Sequence, residues 1–212
     1  MRIYLVTQCL PADALEPFLS SVISAGVGMV QLRDRTLSDR ELLSAARRCA
    51  RVCKRMRVPF IVNDRADIAL AARADGLHVG QDDIPVPEAR ALLGPTAIIG
   101  LSTHSPGQID AAAGSGADYI GVGPIHATPT KAGRPAVGLE LVRYAAAHAA
   151  QPFFAIGGIE PGNVAQVVAA GGTRISVLRC ITQARDPAAA VAALRAAIAA
   201  ANRRSADQHS RG

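Results

Sequence analysis

Residues 60–102 read FIVNDRADIALAARADGLHVGQDDIPVPEARALLGPTAIIGLS. Three short runs in this stretch are apolar and rich in β-branched residues, at 60–63, 76–79 and 98–102, and segments long enough for a helix separate them. Continuously apolar runs are typical of parallel strands that are covered on both faces. The stretch therefore predicts a repeating unit of one strand followed by one crossover helix.

The same pattern extends in both directions from this stretch. Five further strands are predicted at residues 3–7, 29–33, 119–122, 153–156 and 175–178. Eight such units in 212 residues, with no change of composition to mark a linker, favour an α/β fold with a single (β/α)8 TIM barrel over residues 1–202. An open, doubly wound sheet is the alternative.

Capping residues locate two of the helices. Ser38 with Glu41 three residues later has the pattern of a capping box and predicts a helix that ends near Arg57. Asp186 followed by Pro187 predicts the start of the last helix, which carries apolar residues at helical spacing. Residues 203–212 are polar and without periodicity, so we expect a disordered tail there.

Composition narrows the class of protein. The chain is 50% hydrophobic and 19% charged with a mean hydropathy of +0.20, which indicates a globular domain. No apolar run is long enough to span a membrane, and the first residues, MRIYLVTQ, lack the apolar core of a signal peptide. We therefore expect a cytoplasmic protein without a membrane partner.

Charge and cysteine content argue against two other classes. The four cysteines form no CxxC pair, which disfavours a zinc ribbon or a redox motif. The net charge of +6 would suit nucleic acid, but aromatic residues make up only 3% of the chain and tryptophan is absent, so stacking surfaces are scarce. An anionic small-molecule substrate explains the positive charge equally well, and we expect no nucleic-acid partner.

Polar residues follow the predicted strands, where a barrel places its active site. Asp64 and Asp83 come after neighbouring strands, so their carboxylates are expected at one rim, where they would suit Mg²⁺ shared with a substrate. The alternative is that Asp64 caps the helix that begins at Arg65, and that Asp82 or Asp83 caps the next helix.

Two later segments suit phosphate groups. Residues 123–131, GPIHATPTK, offer hydroxyls, backbone amides and the ammonium of Lys131, although a plain surface loop is the alternative. Lys131 is informative because 21 of the 23 basic residues are arginine. Gly157 and Gly158, together with Leu178 and Arg179, follow the last two strands, a recurrent phosphate site in this architecture.

Several motifs together resemble those of the thiamine-phosphate synthase family. The similarity reaches from the first strand to about Thr182 and rests on QLRDR, VNDRADIA, GLHVGQDD, IGLSTHS, DYIGVGPIHATPTK, AIGGI and VLRCIT. The resemblance implies a (β/α)8 transferase that joins 4-amino-2-methyl-5-hydroxymethylpyrimidine diphosphate to a thiazole phosphate with Mg²⁺. The products would be thiamine phosphate and pyrophosphate.

The resemblance also implies roles for individual residues. The pyrimidine diphosphate would contact Gln31, Arg33, Arg35, Asn63, Ser102 and Lys131, of which Arg33, Ser102 and Lys131 would be catalytic. Asp64 and Asp83 would hold Mg²⁺. The thiazole phosphate would contact Thr128, Pro129, Thr130, Gly158, Leu178 and Arg179. The sequence departs from the family pattern at two places, because Arg35 replaces a usual lysine and Leu178-Arg179 replaces a frequent Val-Ser.

Other functions stay open at this point. The implied reaction is largely dissociative and needs no side-chain nucleophile. A related barrel that isomerises a thiazole phosphate would instead need a proton-transfer residue near the ring. A noncatalytic phosphate-ligand sensor is the other alternative, and a homo-oligomer is possible.

Overall fold

Eight parallel strands close into a barrel in the order of the chain, in a computed structural model that describes residues 2–127 and 135–209. The strands are β1 (Arg2–Thr7), β2 (Val27–Leu32), β3 (Phe60–Asn63), β4 (Gly76–Val79), β5 (Ile98–Thr103), β6 (Tyr119–Val122), β7 (Phe153–Ile156) and β8 (Arg174–Val177). The predicted (β/α)8 barrel is thereby confirmed, and the open sheet is wrong. The predicted site residues Thr128, Pro129, Thr130 and Lys131 lie outside the described residues.

Helices cover the outside of the barrel. They are α1 (Ala12–Ala25), α2 (Asp39–Met56), α3 (Ala66–Ala72), α4 (Val86–Leu93), α5 (Pro106–Ala112), α6 (Gly138–His148), α7 (Val164–Ala169), α8 (Arg179–Thr182) and α9 (Pro187–His209). Within the described part of the chain, no helix is both long enough and apolar enough to cross a membrane.

Both predicted helix starts are confirmed by their hydrogen bonds. The backbone N–H of Ser38 donates to Glu41 Oε2 over 2.9 Å, and Ser38 Oγ accepts from the Glu41 backbone, which completes the capping box of α2. The backbone N–H of Ala189 donates to Asp186 Oδ1 at the start of α9. This last helix continues to His209, which differs from the disorder that we expected from residue 203 onward.

Successive side chains of a strand point to opposite faces of the sheet, so the strands contribute to two separate apolar regions. One face of each strand packs against the helices and forms the large outer core, with Leu5, Val30 and Ile120 fully buried. The other face fills the inside of the barrel. A separate cluster lies there, composed of Tyr4, Met29, Ile61, Tyr119 and Phe154.

The barrel closes where the first strand meets the last. Ile3 pairs with Ile175 and Leu5 with Val177 across β1 and β8. On the outside of this seam, the Arg195 guanidinium of α9 donates from Nη1 to the Ala25 carbonyl at the end of α1. Gly26 follows with a φ of +123°, and a Cβ there would lie 2.6 Å from Arg195 Cδ. The positive φ favours glycine at the end of α1, and the absence of a Cβ also leaves room for the Arg195 side chain in this position.

Candidate active site

A cavity of about 510 Å³ opens at the carboxyl ends of the strands. Its size lies in the range of small-molecule sites. Seven of the predicted site residues line it: Gln31, Arg33, Asn63, Ser102, Gly158, Leu178 and Arg179. The barrel therefore brings together residues that are separated by as much as 148 positions in the chain, counted from Gln31 to Arg179.

A continuous row of hydrogen bonds forms the floor of this cavity. We call it the interior relay, and it joins Gln31, Tyr4, Tyr119, His78 and Ser102 in that order. Gln31 Nε2 donates to Tyr4 Oη over 2.6 Å, and the two tyrosine hydroxyls are 2.8 Å apart. His78 lies with Nδ1 3.0 Å from Tyr119 Oη and with Nε2 2.9 Å from Ser102 Oγ. All five side chains are buried.

Strand register explains how the interior relay is assembled. His78 pairs with Gly100 on β5, and Gly100 in turn pairs with Tyr119 on β6, so the ring positions on either side of Gly100 face the same space. A Cβ at Gly100 would lie 2.1 Å from Tyr119 Cζ and 2.5 Å from His78 Nδ1. The imidazole and the phenol can meet only because Gly100 has no side chain.

Burial changes the pKa of the two phenols in the interior relay. Burial raises the pKa of Tyr4 and the pKa of Tyr119 well above the usual tyrosine value. Both hydroxyls therefore stay protonated at neutral pH and act as hydrogen-bond donors. The rings of Tyr4, Tyr119 and Phe154 also pack edge to face, with centroids 5.1 to 5.8 Å apart.

Arg33 supplies positive charge to the cavity wall. Its side chain is half-buried, and the pKa of its guanidinium is lowered first by that burial and then by the neighbouring charge of Arg35. Among residues 2–127 and 135–209, Arg33 forms no ion pair. The Asp64 carboxylate acts on it only at longer range and raises its pKa. A partly desolvated cation that is not bound in an ion pair of the described residues is suited to an anionic ligand.

The two glycines after β7 are required by backbone packing as well as by their conformation. Gly157 has a φ of +108° and Gly158 a φ of +61°. A Cβ on Gly157 would lie 2.6 Å from Pro124 Cα, and one on Gly158 would lie 2.8 Å from His126 Cβ. The loop after β7 therefore lies against the loop after β6, and both line the cavity.

Asp64 and Asp83 lie together at the rim beside the cavity, and we call them the carboxylate pair. Burial raises the pKa of Asp64, and the adjacent Asp83 carboxylate raises it further. Arg35 Nη2 approaches Asp64 Oδ2 at 3.2 Å, but the Arg35 side chain is 68% exposed, so this ion pair is largely screened by solvent. Asp64 also adopts a φ of +60°, which is unusual for a residue other than glycine.

Helix capping does not explain the carboxylate pair. The N-cap of α3 is Arg65 and the N-cap of α4 is Pro85, so the alternative role predicted for Asp64, Asp82 and Asp83 is wrong. Asp83 does close a turn, because its Oδ2 accepts from the Gly80 backbone over 2.7 Å. Asp64 Oδ1 has no such structural role among the described contacts, and its backbone N–H donates to the His78 carbonyl.

The donor set of the carboxylate pair fits Mg²⁺. Mg²⁺ prefers oxygen ligands and is usually held by one or two carboxylates together with water and substrate phosphates. The described residues contain no cluster of three or more His, Cys, Asp or Glu side chains, so a larger protein cage is not available there. A divalent cation would stabilise the two neighbouring carboxylates, because it would offset the repulsion between them.

Sequence reasoning missed the interior members of the site. Tyr4, His78 and Tyr119 lie within apolar strands, and only their position on the inward face sets them apart from core residues. Ser176 was also missed, and its buried Oγ lines the cavity without a partner among the described residues. Polar residues at alternate positions of several strands were the available signal.

Comparison with known proteins agrees with this geometry. A family profile described as thiamine monophosphate synthase matches residues 3–181. The chain belongs to the thiamine monophosphate synthase family. It is 51% identical to the thiamine-phosphate synthase of Acidothermus cellulolyticus, over 88% of this chain and 89% of that protein.

A longer relative and a solved structure of the thiamine monophosphate synthase family complete the comparison. The thiamine-phosphate synthase of Thermosynechococcus vestitus is 46% identical over 89% of this chain but only 53% of its own length, so the chain spans about half of that relative. The structure of thiamine phosphate pyrophosphorylase from Pyrococcus furiosus superposes with a TM-score of 0.80 at 31% identity, covering 94% of this chain and 96% of that one.

Arg35 and Arg179, at the two places where the sequence departs from the expected motifs, both have a defined location. Arg35, where the resemblance led us to expect a lysine, pairs with Asp64 at the rim. Arg179 begins α8 and lines the cavity. Each adds a cation close to the predicted anion sites.

Proposed function

We propose that the chain couples 4-amino-2-methyl-5-hydroxymethylpyrimidine diphosphate to a thiazole phosphate, forming thiamine phosphate and pyrophosphate. The observation that carries this proposal is the single cavity shared by Gln31, Arg33, Asn63, Ser102 and the residues after β7 and β8, in a chain of this family. The expected partners are these two small molecules, in the cytoplasm, with neither nucleic acid nor membrane. A homo-oligomer remains a prediction.

Each substrate would use a different part of the cavity. The pyrimidine would contact Gln31 and Ser102 on the floor, and its diphosphate would extend toward Arg33, Arg35 and Asn63. The thiazole phosphate would bind at Gly158, Leu178 and Arg179, on the opposite side of the barrel, with Thr128, Pro129 and Thr130 beside its ring. Residues from adjacent strands β7 and β8 thus face residues from β2, β3 and β5 across one opening.

Asp64 and Asp83 would hold Mg²⁺. When bound, the ion would neutralise charge on the diphosphate oxygens. Arg33, whose guanidinium is desolvated, and Lys131 would stabilise the same charge as it grows on the leaving group. Ser102 would act by a hydrogen bond to the substrate.

The proposed reaction is largely dissociative. The carbon–oxygen bond to the diphosphate breaks, the aminopyrimidine ring stabilises the resulting methylene cation, and the thiazole nitrogen supplies the electron pair for the new carbon–nitrogen bond. No side-chain nucleophile is needed, so the contribution of the protein is to align two rings and to stabilise charge.

One assay tests the proposal directly. The purified protein is incubated with both substrates, with and without Mg²⁺, and thiamine phosphate and pyrophosphate are quantified together. We expect equal amounts of the two products, formed only with Mg²⁺. Isomerisation of the thiazole without coupling would instead assign the isomerase function, and ligand-induced stabilisation without turnover would assign a sensor.

The role of Lys131 can be tested by a substitution that conserves charge. Almost every other basic residue of the chain is arginine. We therefore expect position 131 to need the compact ammonium of lysine rather than a planar guanidinium. We predict that Lys131→Arg lowers turnover about tenfold or more, equivalent to about 1.4 kcal/mol of barrier. Arg35→Lys, which introduces the residue usual in the family, is the control and should be nearly neutral at saturating substrates.

Wild-type turnover in Lys131→Arg would show that the lysine at this position is accidental.

A further inference from the structure

We propose that the interior relay fixes the hydrogen-bonding polarity of Gln31 and Ser102 and thereby selects a 4-aminopyrimidine over a 4-oxopyrimidine. Tyr4, Tyr119 and His78 are then positioning residues, because they act through the two side chains that meet the substrate. The inference rests on the proposed function for the identity of the ligand, whereas the polarity itself follows from the orientation of the Gln31 amide and from the hydrogen bonds of the interior relay.

The polarity follows from counting hydrogens along the interior relay. Gln31 Nε2 donates to Tyr4 Oη, so the single hydrogen of Tyr4 has to find its acceptor elsewhere. Tyr119 Oη, 2.8 Å away, is that acceptor. The opposite arrangement, with Tyr119 donating to Tyr4, would leave the Tyr4 hydroxyl hydrogen buried without an acceptor, which is strongly unfavourable.

The same reasoning continues through the histidine. Tyr119, having accepted from Tyr4, donates its own hydrogen to His78 Nδ1 at 3.0 Å. His78 Nδ1 is therefore the unprotonated nitrogen, and Nε2 carries the hydrogen and donates to Ser102 Oγ at 2.9 Å. Ser102 accepts at its oxygen, so its hydroxyl hydrogen is left to point at a ligand.

The two ends of the interior relay consequently offer opposite groups to the cavity. Gln31 places one hydrogen of its amide nitrogen on Tyr4 and offers the Oε1 acceptor, and Ser102 offers a donor. A 4-aminopyrimidine carries an N–H donor on its exocyclic nitrogen and an acceptor on the ring nitrogens, which matches this pair. A 4-oxopyrimidine carries a carbonyl in place of the amino group, so its oxygen would face another acceptor at Gln31.

Surrounding contacts hold the interior relay in place. Gln81 Nε2 donates to the Ser102 carbonyl over 2.6 Å and fixes the strand end that carries the hydroxyl. On the other side, the edge-to-face packing of Tyr4 and Tyr119 against Phe154 restricts rotation of both phenols. The packing therefore keeps the two hydroxyl oxygens in place, and the count of hydrogens along the interior relay sets the direction of each O–H.

The test removes one hydroxyl from the middle of the interior relay and compares it with a hydroxyl elsewhere. Tyr119→Phe and Tyr4→Phe each interrupt it. Tyr144→Phe is the matched control, because the Tyr144 hydroxyl donates to the Asp110 carboxylate on the outer surface. Each variant is first checked for folding by its thermal melt. Binding of the 4-amino and 4-oxo pyrimidine diphosphates is then measured by titration calorimetry, together with KM for both substrates of the coupling reaction.

We expect both interior variants to lose about tenfold of the preference for the 4-amino compound and to raise KM for the pyrimidine but not for the thiazole phosphate. The Tyr144→Phe control should retain the wild-type preference. Unchanged preference in both interior variants, in folded protein, would overturn the proposal.

Nitrogen-15 NMR of the substrate-free protein tests the polarity without any turnover. The His78 resonances, assigned through their loss in His78→Asn, should be those of a neutral ring protonated at Nε2. Protonation at Nδ1 would overturn the proposed polarity. Because this readout needs no substrate, absence of coupling in the wild-type protein would count against the proposed function and not against the interior relay.

Discussion

The interior relay and the carboxylate pair lie in the same barrel, yet their polar groups are satisfied to very different extents. Each hydrogen-bonding step of the interior relay ends on another side chain of the protein, and its phenols are kept neutral by burial. The carboxylate pair instead brings two acidic groups together and raises the pKa of Asp64. It also holds Asp64 in a left-handed backbone conformation.

The difference shows which part of the site is complete before ligands arrive. A buried polar group has little access to water, so most such groups find protein partners when the chain folds. A rim residue can keep an unfavourable arrangement, because the rest of the fold stabilises it and a bound cation can relieve it. The interior relay is therefore ordered before a ligand binds and can recognise it. The carboxylate pair, in contrast, is stabilised only when a cation binds.

The largest expected effect comes from neutralising one member of the carboxylate pair. Asp64→Asn removes the charge repulsion and keeps a residue type that tolerates positive φ. We predict a loss of turnover of about 100-fold or more, because stabilisation of the leaving diphosphate by a bound cation is worth several kcal/mol. The ligand-free variant should be at least as stable as the wild-type protein in urea unfolding.

Asp82→Asn is the matched control, since Asp82 is an exposed neighbour that lies outside the carboxylate pair. Asp82→Asn should change neither the turnover nor the stability in urea unfolding. A strongly destabilised Asp64→Asn protein would mean that Asp64 has a structural role, and the contrast between floor and rim would then fail.

An intermediate effect is expected from filling the space that separates His78 and Tyr119. The methyl group of Gly100→Ala would overlap the Tyr119 ring, so the packed aromatic side chains have to move. We predict a loss of about 1–3 kcal/mol in the free energy of unfolding, the usual range for an overpacked core. Gly107→Ala is the control, because a Cβ at Gly107 meets nothing within 4 Å and alanine favours the helix α5.

Denaturant titration of Gly100→Ala and Gly107→Ala measures this difference in the free energy of unfolding. Equal stability of Gly100→Ala and Gly107→Ala would show that the interior relay tolerates rearrangement and is not a packed unit.

The smallest effect is a shift of thermal stability with Mg²⁺ and pH. Because the folded-state pKa of Asp64 is raised, its contribution to stability is present at low pH and is lost as the pH rises through that pKa. Mg²⁺ binds the ionised form, so we expect saturating Mg²⁺ to raise Tm near pH 7.5, by about 2–4 °C for each kcal/mol of binding linkage. The increase should shrink as the pH falls through the Asp64 pKa.

Asp64→Asn should remove most of this Mg²⁺-dependent shift, and differential scanning calorimetry at several pH values measures it. A shift that is equally large in the variant would place the ion elsewhere.

Most of the fold could be predicted from sequence because each strand is a short apolar run with its own boundary. The bounds of β3, β4, β6 and β7 agree with prediction. The start of β2 does not, because Val27 pairs with Ile3 across an irregularity in the register that only the neighbouring strand creates. The end of β8 also differs, since Leu178 becomes the N-cap of α8 instead of a strand residue.

Within the candidate site, position along the strand decides which residues could be predicted from sequence. Gln31, Arg33, Asn63 and Ser102 could be found because polar residues directly after or at the end of apolar strands are conspicuous. Tyr4 and Tyr119 could not, because an aromatic residue in a strand looks the same in sequence whether it faces the helices or the barrel interior. Their pairing depends on the closed sheet, which brings strands β1 and β6 to opposite walls of one narrow space.

The seam between β1 and β8 has a consequence for how the molecule is made. One edge of β1 can pair with β2 as soon as Leu32 has been synthesised, but its other edge has to wait for Ile175 and Val177. Until then the growing chain is an open sheet with two exposed edges, the kind of surface that attracts other strands. Pairing of β1 with β8 removes both exposed edges. It depends on contacts between residues that lie far apart in the chain.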